Sequence, residues 1–122
     1  MPTATLPLIT ADAGFCCAPV TGAVIDSDQA ERLARIFKAL SDPTRVRLLS
    51  LIAATEGGEA CICDLTAPVG LSQPTVSHHM KQLADAGLVS REQRGKWAYY
   101  RVVEDALRTV ATALLPAEAM VR

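Results

Sequence analysis

Residues 71–89, LSQPTVSHHMKQLADAGLV, carry both ends of a helix in their own sequence. Ser72 offers a side-chain oxygen to the free amides of a first turn. Pro74 sits where a helix still tolerates a missing amide hydrogen, and Gly87 supplies the left-handed residue that ends it. Between them Val76, Met80, Leu83 and Ala84 recur at helical spacing and form the face to be buried. Small polar residues, Gln73, Thr75, Ser77 and His78, are left on the outside at the helix start. Just upstream, Cys61-Ile62-Cys63-Asp64-Leu65 sets two thiols one residue apart, a chelating pattern for soft ions. The chain must therefore pack a thiol pair close to a capped amphipathic helix with a polar leading end.

At 122 residues the chain has the size of one domain, and half of its residues are hydrophobic, ample for one core. Aromatics are scarce, so that core is built from Leu, Val, Ile and Ala, and the Ala and Leu content favours helix. No apolar run is long enough to span a bilayer. The N-terminus, MPTATLPLIT, lacks the basic start and long apolar stretch of a secretory leader. The expected compartment is the cytosol, where four cysteines point to metal or redox chemistry rather than a disulfide framework. The net charge of −1 argues against indiscriminate nucleic-acid binding. Its distribution is uneven: residues 71–101 hold five cations against two carboxylates, a net of +3, so the remainder carries −4. A basic segment on an acidic body is an electrostatic footprint.

Three parts are expected along the chain. Residues 1–27 are an arm with three prolines, two glycines and no sustained period; it carries Cys16 and Cys17. Residues 28–116 form the folded domain, and residues 117–122 a tail. In the domain, Ser27 or Asp28 caps a first helix running to about Leu40, with Ala30, Leu33, Ala34, Phe37 and Leu40 on one face. Asp42 caps a second helix that opens on Pro43 and buries Val46, Leu49, Ile52 and Ala53. A short third helix is expected from about Cys61 to Val69, broken by Gly70, before the helix already described. β-formers then flank Gly95-Lys96, predicting a hairpin with a basic tip. A last helix from about Glu104 places Leu107, Val110, Ala111, Leu114 and Leu115 in one stripe, and Pro116 ends it. The apolar stripes of the first and last helices exceed what one short domain can bury, so a homodimer is expected. This order predicts a mainly α fold with a β-hairpin wing, a dimeric winged helix-turn-helix. Periodicity alone leaves an ordinary α+β domain equally open.

The residues themselves separate the two. FKALSDPTR at 37–45, CICDL at 61–65, LSQPTVSHH at 71–79 and the hairpin RGKWAYY at 94–100 resemble the ArsR–SmtB family of metal-sensing repressors, of the arsenical-resistance type. The likeness covers roughly residues 28–115. It implies a homodimer that binds double-stranded operator DNA without metal and releases it when metal binds.

On that reading, the leading end of the fourth helix enters the major groove. Ser72, Gln73, Thr75, Ser77 and His78 suit that role, with Gln73 able to address an adenine edge and Thr75 a thymine methyl. Ser72 is read as a cap before a base contact. His79 and Lys81 are expected to reach phosphates, as are Arg91, Arg94 and Lys96 in the wing. His78 and His79 are adjacent and point about 100° apart on a helix, a poor chelate. Trp97, Tyr99 and Tyr100 either stack on nucleic acid or pack the hairpin onto the helices.

Thiolates select soft ions. The resemblance implies a site from Cys16 and Cys17 with Cys61, Cys63 or both, the arm coming from either subunit. If residues 61–69 are a regular helix, Cys61 and Cys63 point about 200° apart and cannot face one ion equally; Cys63 is then favoured. A third cysteine after Leu65 is absent, Thr66 and Ala67 following it. A trigonal three-sulfur set therefore recruits the arm and suits trivalent arsenic or antimony; all four thiols would suit cadmium or lead. The last helix has no histidine, which disfavours the zinc site of that family. A thiol-redox regulator is the other alternative. Enzyme chemistry is not expected, since no nucleophile accompanies a phosphate-cradling loop.

Overall fold

The computed structural model describes residues 24–116. Five helices and three strands follow in the order α1 (Ser27–Leu40), α2 (Pro43–Ala54), β1 (Glu59–Cys61), α3 (Thr66–Val69), α4 (Gln73–Asp85), β2 (Val89–Arg94), β3 (Trp97–Val102) and α5 (Glu104–Leu114). Single 3-10 turns occupy Glu56–Gly58 and Ile62–Asp64. Among the described residues no helix is long and apolar enough to cross a membrane. Contacts divide the described chain into two compact units, residues 24–35 with 105–116, and Ile36–Glu104.

In the second unit the caps read from sequence are formed. The Asp42 carboxylate accepts from the amides of Thr44 (2.8 Å) and Arg45 (3.3 Å), with Pro43 opening α2. Ser72 accepts from the Thr75 amide at the start of α4. At the far end Gly87 has φ 82°, a conformation that a side chain would strain. That turn lets the amides of Gly87 and Leu88 reach the carbonyls of Ala84 and Leu83, each at 3.0 Å, and closes the helix. Val76, Met80 and Leu83 of α4 meet Leu48 and Ile52 of α2, Leu65 and Leu88 in a core whose members are fully buried. The α2 stripe differs from expectation: Leu48 and Ile52 are buried, whereas Val46 and Ala53 are exposed. Val46 and Leu48 point to different sides of the helix, and α4 packs on only one of them.

The largest departure lies at residues 59–69. No single helix spans Cys61 to Val69. Glu59-Ala60-Cys61 instead form a strand that pairs antiparallel with β3, Cys61 opposite Tyr99. The hairpin thus belongs to a three-stranded sheet in the order β1-β3-β2. A 3-10 turn follows, the Cys61 sulfur accepting the Cys63 amide, and α3 is a single helical turn. Pairing with a distant strand satisfies the backbone groups of residues 59–61 more completely than a short unpaired helix end would.

In the first unit Leu33, Val110 and Ala113 are buried, and Leu107, Leu114 and Leu115 are exposed apolar side chains. The cap of α1 is Asp26 rather than Ser27 or Asp28. Its carboxylate takes the Gln29 amide (2.8 Å) and the Gln29 side chain takes the Asp26 amide (3.1 Å), a reciprocal capping box. Along α1 as a whole, Leu33, Ile36 and Ala39 are buried while Ala30, Ala34 and Phe37 are exposed. The helix is apolar on two sides, and sequence spacing cannot say which one the chain itself covers.

Candidate functional site

Gln73, Ser77 and Lys81 recur every four residues on α4 and so share one face. They form one wall of a groove of about 490 Å3. The opposite wall comes from the hairpin, with Arg91, Gln93 and Lys96; Ile62, Ala98 and Tyr100, all buried, close the floor. Gln93 was not anticipated, although period-two alternation along β2 sets it beside Arg91. The two are joined, the Arg91 guanidinium donating to the Gln93 side-chain oxygen at 2.6 Å. Lys81 pairs with Asp85 one helical turn on, at 2.9 Å with both side chains in water. The Lys96 ammonium lies 5.9 Å from the Trp97 ring centroid at the hairpin tip. Tyr100 is buried and Trp97 exposed, so only part of the aromatic set packs inward.

The other expected contact residues fall outside this groove. Ser72 and Thr75 are exposed at the leading end of α4, their hydroxyls 3.0 Å apart, and Ser72 serves as a cap because its oxygen accepts the Thr75 amide. His78 is exposed, with its Nε2 3.0 Å from the side-chain nitrogen (Nε2) of Gln82. His79 turns inward. Its Nδ1 lies 3.1 Å from an Arg45 nitrogen, and since guanidinium cannot accept, the imidazole must. Arg45 also donates to the Ala39 carbonyl at 2.6 Å, so it ties the end of α1 to α4. Asp42 stands beside this group. Desolvation pushes its carboxyl up, but the Thr44 and Arg45 amides and the Arg45 charge together hold it below its ordinary value.

Arg94 is engaged within the protein as well. Its fork meets both oxygens of Glu59, at 3.2 and 2.5 Å, and one nitrogen reaches Glu92 at 2.7 Å. The guanidinium stacks 4.4 Å from the Tyr99 ring centroid. The hydrogen bond from Arg94 is the main reason the Glu59 carboxyl titrates below its ordinary value, against a smaller opposing effect of burial. The bonds to Glu92 and Glu59 raise Arg94 in turn.

Cys61 is buried at the end of β1 and Cys63 is exposed on the 3-10 turn. Their Cα atoms are 5.2 Å apart and their sulfurs meet directly, as in a disulfide. The opposed orientation expected of a helix is therefore corrected: a strand end followed by a turn brings both sulfurs to one place. Among the described residues no three Cys, His, Asp or Glu side chains cluster as a metal site. Cys16 and Cys17 lie outside the described residues.

A helix pair joined by a tight turn, with a polar-faced second helix and a basic hairpin beside it, defines a winged helix-turn-helix, a class that reads DNA. Residues 42–91 match the family model of the bacterial regulatory proteins of the arsR family. An arsenic resistance transcriptional regulator of Pseudomonas putida is 46% identical over 67 residues, which cover 55% of this chain and 51%, about half, of that protein. The solved AntR antimony-specific transcriptional repressor is 33% identical with a TM-score of 0.60, over 73% of this chain and 79% of that one. The homodimeric winged helix-turn-helix DNA-binding domain from Mycobacterium bovis is 30% identical with a TM-score of 0.60, over 73% of this chain and 83% of that one. The chain belongs to the arsR family: it is a DNA-binding transcriptional regulator of the repressor kind, not an enzyme.

Proposed function

We propose that this protein is a cytosolic homodimeric repressor that holds operator DNA until thiolates capture trivalent arsenic or antimony. One observation carries the reading. Ile62 stands between the two cysteines and is also the floor of the groove between α4 and the hairpin. Anything that tightens on Cys61 and Cys63 therefore acts on a residue that touches both DNA-facing elements. The relatives named for arsenic and antimony support the choice of ion. Their names concern those proteins; the donor set makes the case here. Once a reductant has opened their S–S contact, Cys61 and Cys63 supply two neighbouring thiolates, and one arm cysteine completes a trigonal set suited to a trivalent soft centre.

DNA is read by Gln73, Thr75, Ser77 and His78 at base edges, with Ser72 holding the helix start. Lys81, Arg91 and Lys96 meet phosphate. His79 and Arg94, which have internal partners, position these elements. Dimerisation covers apolar side chains left exposed on α1, on α5 and just after it, Phe37, Leu107, Leu114 and Leu115. Moving from 99% bound to 99% free requires the metalloid to favour the released state by about 5.5 kcal/mol, within reach of thiolate coordination.

The test is operator release by arsenite in excess reductant. Serine at both Cys16 and Cys17 leaves DNA binding intact and abolishes release. Cys61→Ser and Cys63→Ser lose the response equally, because the sulfurs share one place. Release by the Cys16/Cys17 double variant at the wild-type arsenite concentration would refute the reading. If each of the four single variants loses its response completely, and cadmium or lead releases the wild type more readily than arsenite, the site takes those ions instead.

A further inference from the structure

Glu59 is a carboxylate that reaches the wing from outside it. It sits on β1, and its side chain crosses β3 to meet Arg94 at the end of β2. Arg101 on β3 approaches the same carboxylate at 3.7 Å and donates to the Gly57 carbonyl at 3.1 Å. Glu59, Glu92, Arg94 and Arg101 thus form a group of two anions and two cations with no net charge. Arg94 is its hub, gripped in the two-pronged manner that matches guanidinium to carboxylate and backed by the Tyr99 ring. Arg91 and Lys96 differ. Among the described residues neither pairs with a carboxylate, and both line the groove against α4.

A guanidinium in such a group is not equivalent to a solvated one. Transfer of Arg94 to a DNA phosphate would leave Glu59 and Glu92 facing a polyanion without their counter-charge. That repulsion opposes the transfer, whereas Arg91 and Lys96 meet no such penalty.

We propose that Glu59 is a positioning residue of the DNA interface: it holds Arg94 against β1, so that the wing addresses phosphate through Arg91 and Lys96 and keeps Arg94 in reserve. This rests on the reading that the wing meets the DNA backbone. Because β1 also ends in Cys61, the residue that sets the wing's charge lies on the strand that carries the thiol.

The salt dependence of operator binding tests it, since each phosphate neutralised contributes about 0.9 to the slope of log affinity against log salt. R91Q and K96Q each flatten that slope by about 1.8 for a dimer carrying two copies, roughly a tenfold change between 50 and 200 mM salt. E59Q steepens the slope by a similar amount, because it releases Arg94 to phosphate. In an R94Q background E59Q changes the slope little. A wild-type slope for E59Q, or the same steepening with and without Arg94, overturns the proposal while R91Q and K96Q still flatten the slope. If R91Q and K96Q also leave it unchanged, the wing does not meet the backbone and both readings fall together. A change in folding alone would alter the active fraction of protein without steepening the slope.

Discussion

Ile62 offers the most direct measure of how firmly the thiol turn is fixed to the DNA-facing elements. The side chain is 3% exposed, packed where the 3-10 turn abuts α4 and β3. Replacing it by Ala removes three carbons, which costs about 2.4 kcal/mol in transfer free energy at about 0.8 per carbon. The space left behind cannot close fully between three separate elements, so the expected total is about 3–4 kcal/mol, inside the usual range for Ile→Ala. Ile62→Val removes one carbon and costs about 1 kcal/mol. Urea unfolding of each variant at one fixed protein concentration measures the difference, because a dimer's stability depends on concentration. The Ala variant unfolds at a clearly lower midpoint with an unchanged slope. The Val variant stays folded and shows a smaller change in operator affinity on adding arsenite than the wild type does. A cost below about 1 kcal/mol for Ile62→Ala would mean that the turn is loosely held. The route from thiols to groove through this residue would then be wrong.

Gln73→Ala or Ser77→Ala should weaken operator binding by about 1–3 kcal/mol and relax base preference at one position of each half-site, measured by competition with single-base variants. Asp42 makes stability depend on acid. Its carboxyl is lowered in the fold from an ordinary 3.8, so its contribution is complete above that value and is lost as the pH falls below it. Asp42→Asn keeps an acceptor for the Thr44 amide but does not titrate, so the acid limb of a stability–pH curve becomes shallower. Sedimentation at micromolar concentration should report a dimer, and charged residues at Leu114 and Leu115 should give monomers that bind a full operator far more weakly.

Much of the fold is legible in short stretches of sequence. The limits of α4 follow from Ser72, Pro74 and Gly87, and the start of α2 from Asp42 and Pro43. Each is settled by groups within a few residues: a side chain close enough to cap an amide, a missing amide hydrogen, a positive φ. The hairpin is legible for the same reason, Gly95-Lys96 being flanked by β-forming residues whose partners are close in the chain. The polar face of α4 could be named because a helix of known phase fixes which residues share a side.

What lay beyond the sequence depends on partners far along the chain. Glu59-Ala60-Cys61 has too few residues to show a period, and it is a strand only because β3 presents an open edge. That pairing turns Cys61 out of a helix and brings its sulfur to Cys63, which spacing on a helix forbids. It also carries Glu59 to Arg94, so a residue that reads as a free wing cation proves to have a counter-charge from another element. His79 meets Arg45 in the same way, across a helix contact. On α1 the sequence offers two apolar sides, and packing selects Leu33, Ile36 and Ala39. Caps and turns are decided by atoms a few bonds apart and can be read locally. The environment of a thiol or a charge is decided by whichever distant segment folds against it, and only the tertiary structure brings that segment in.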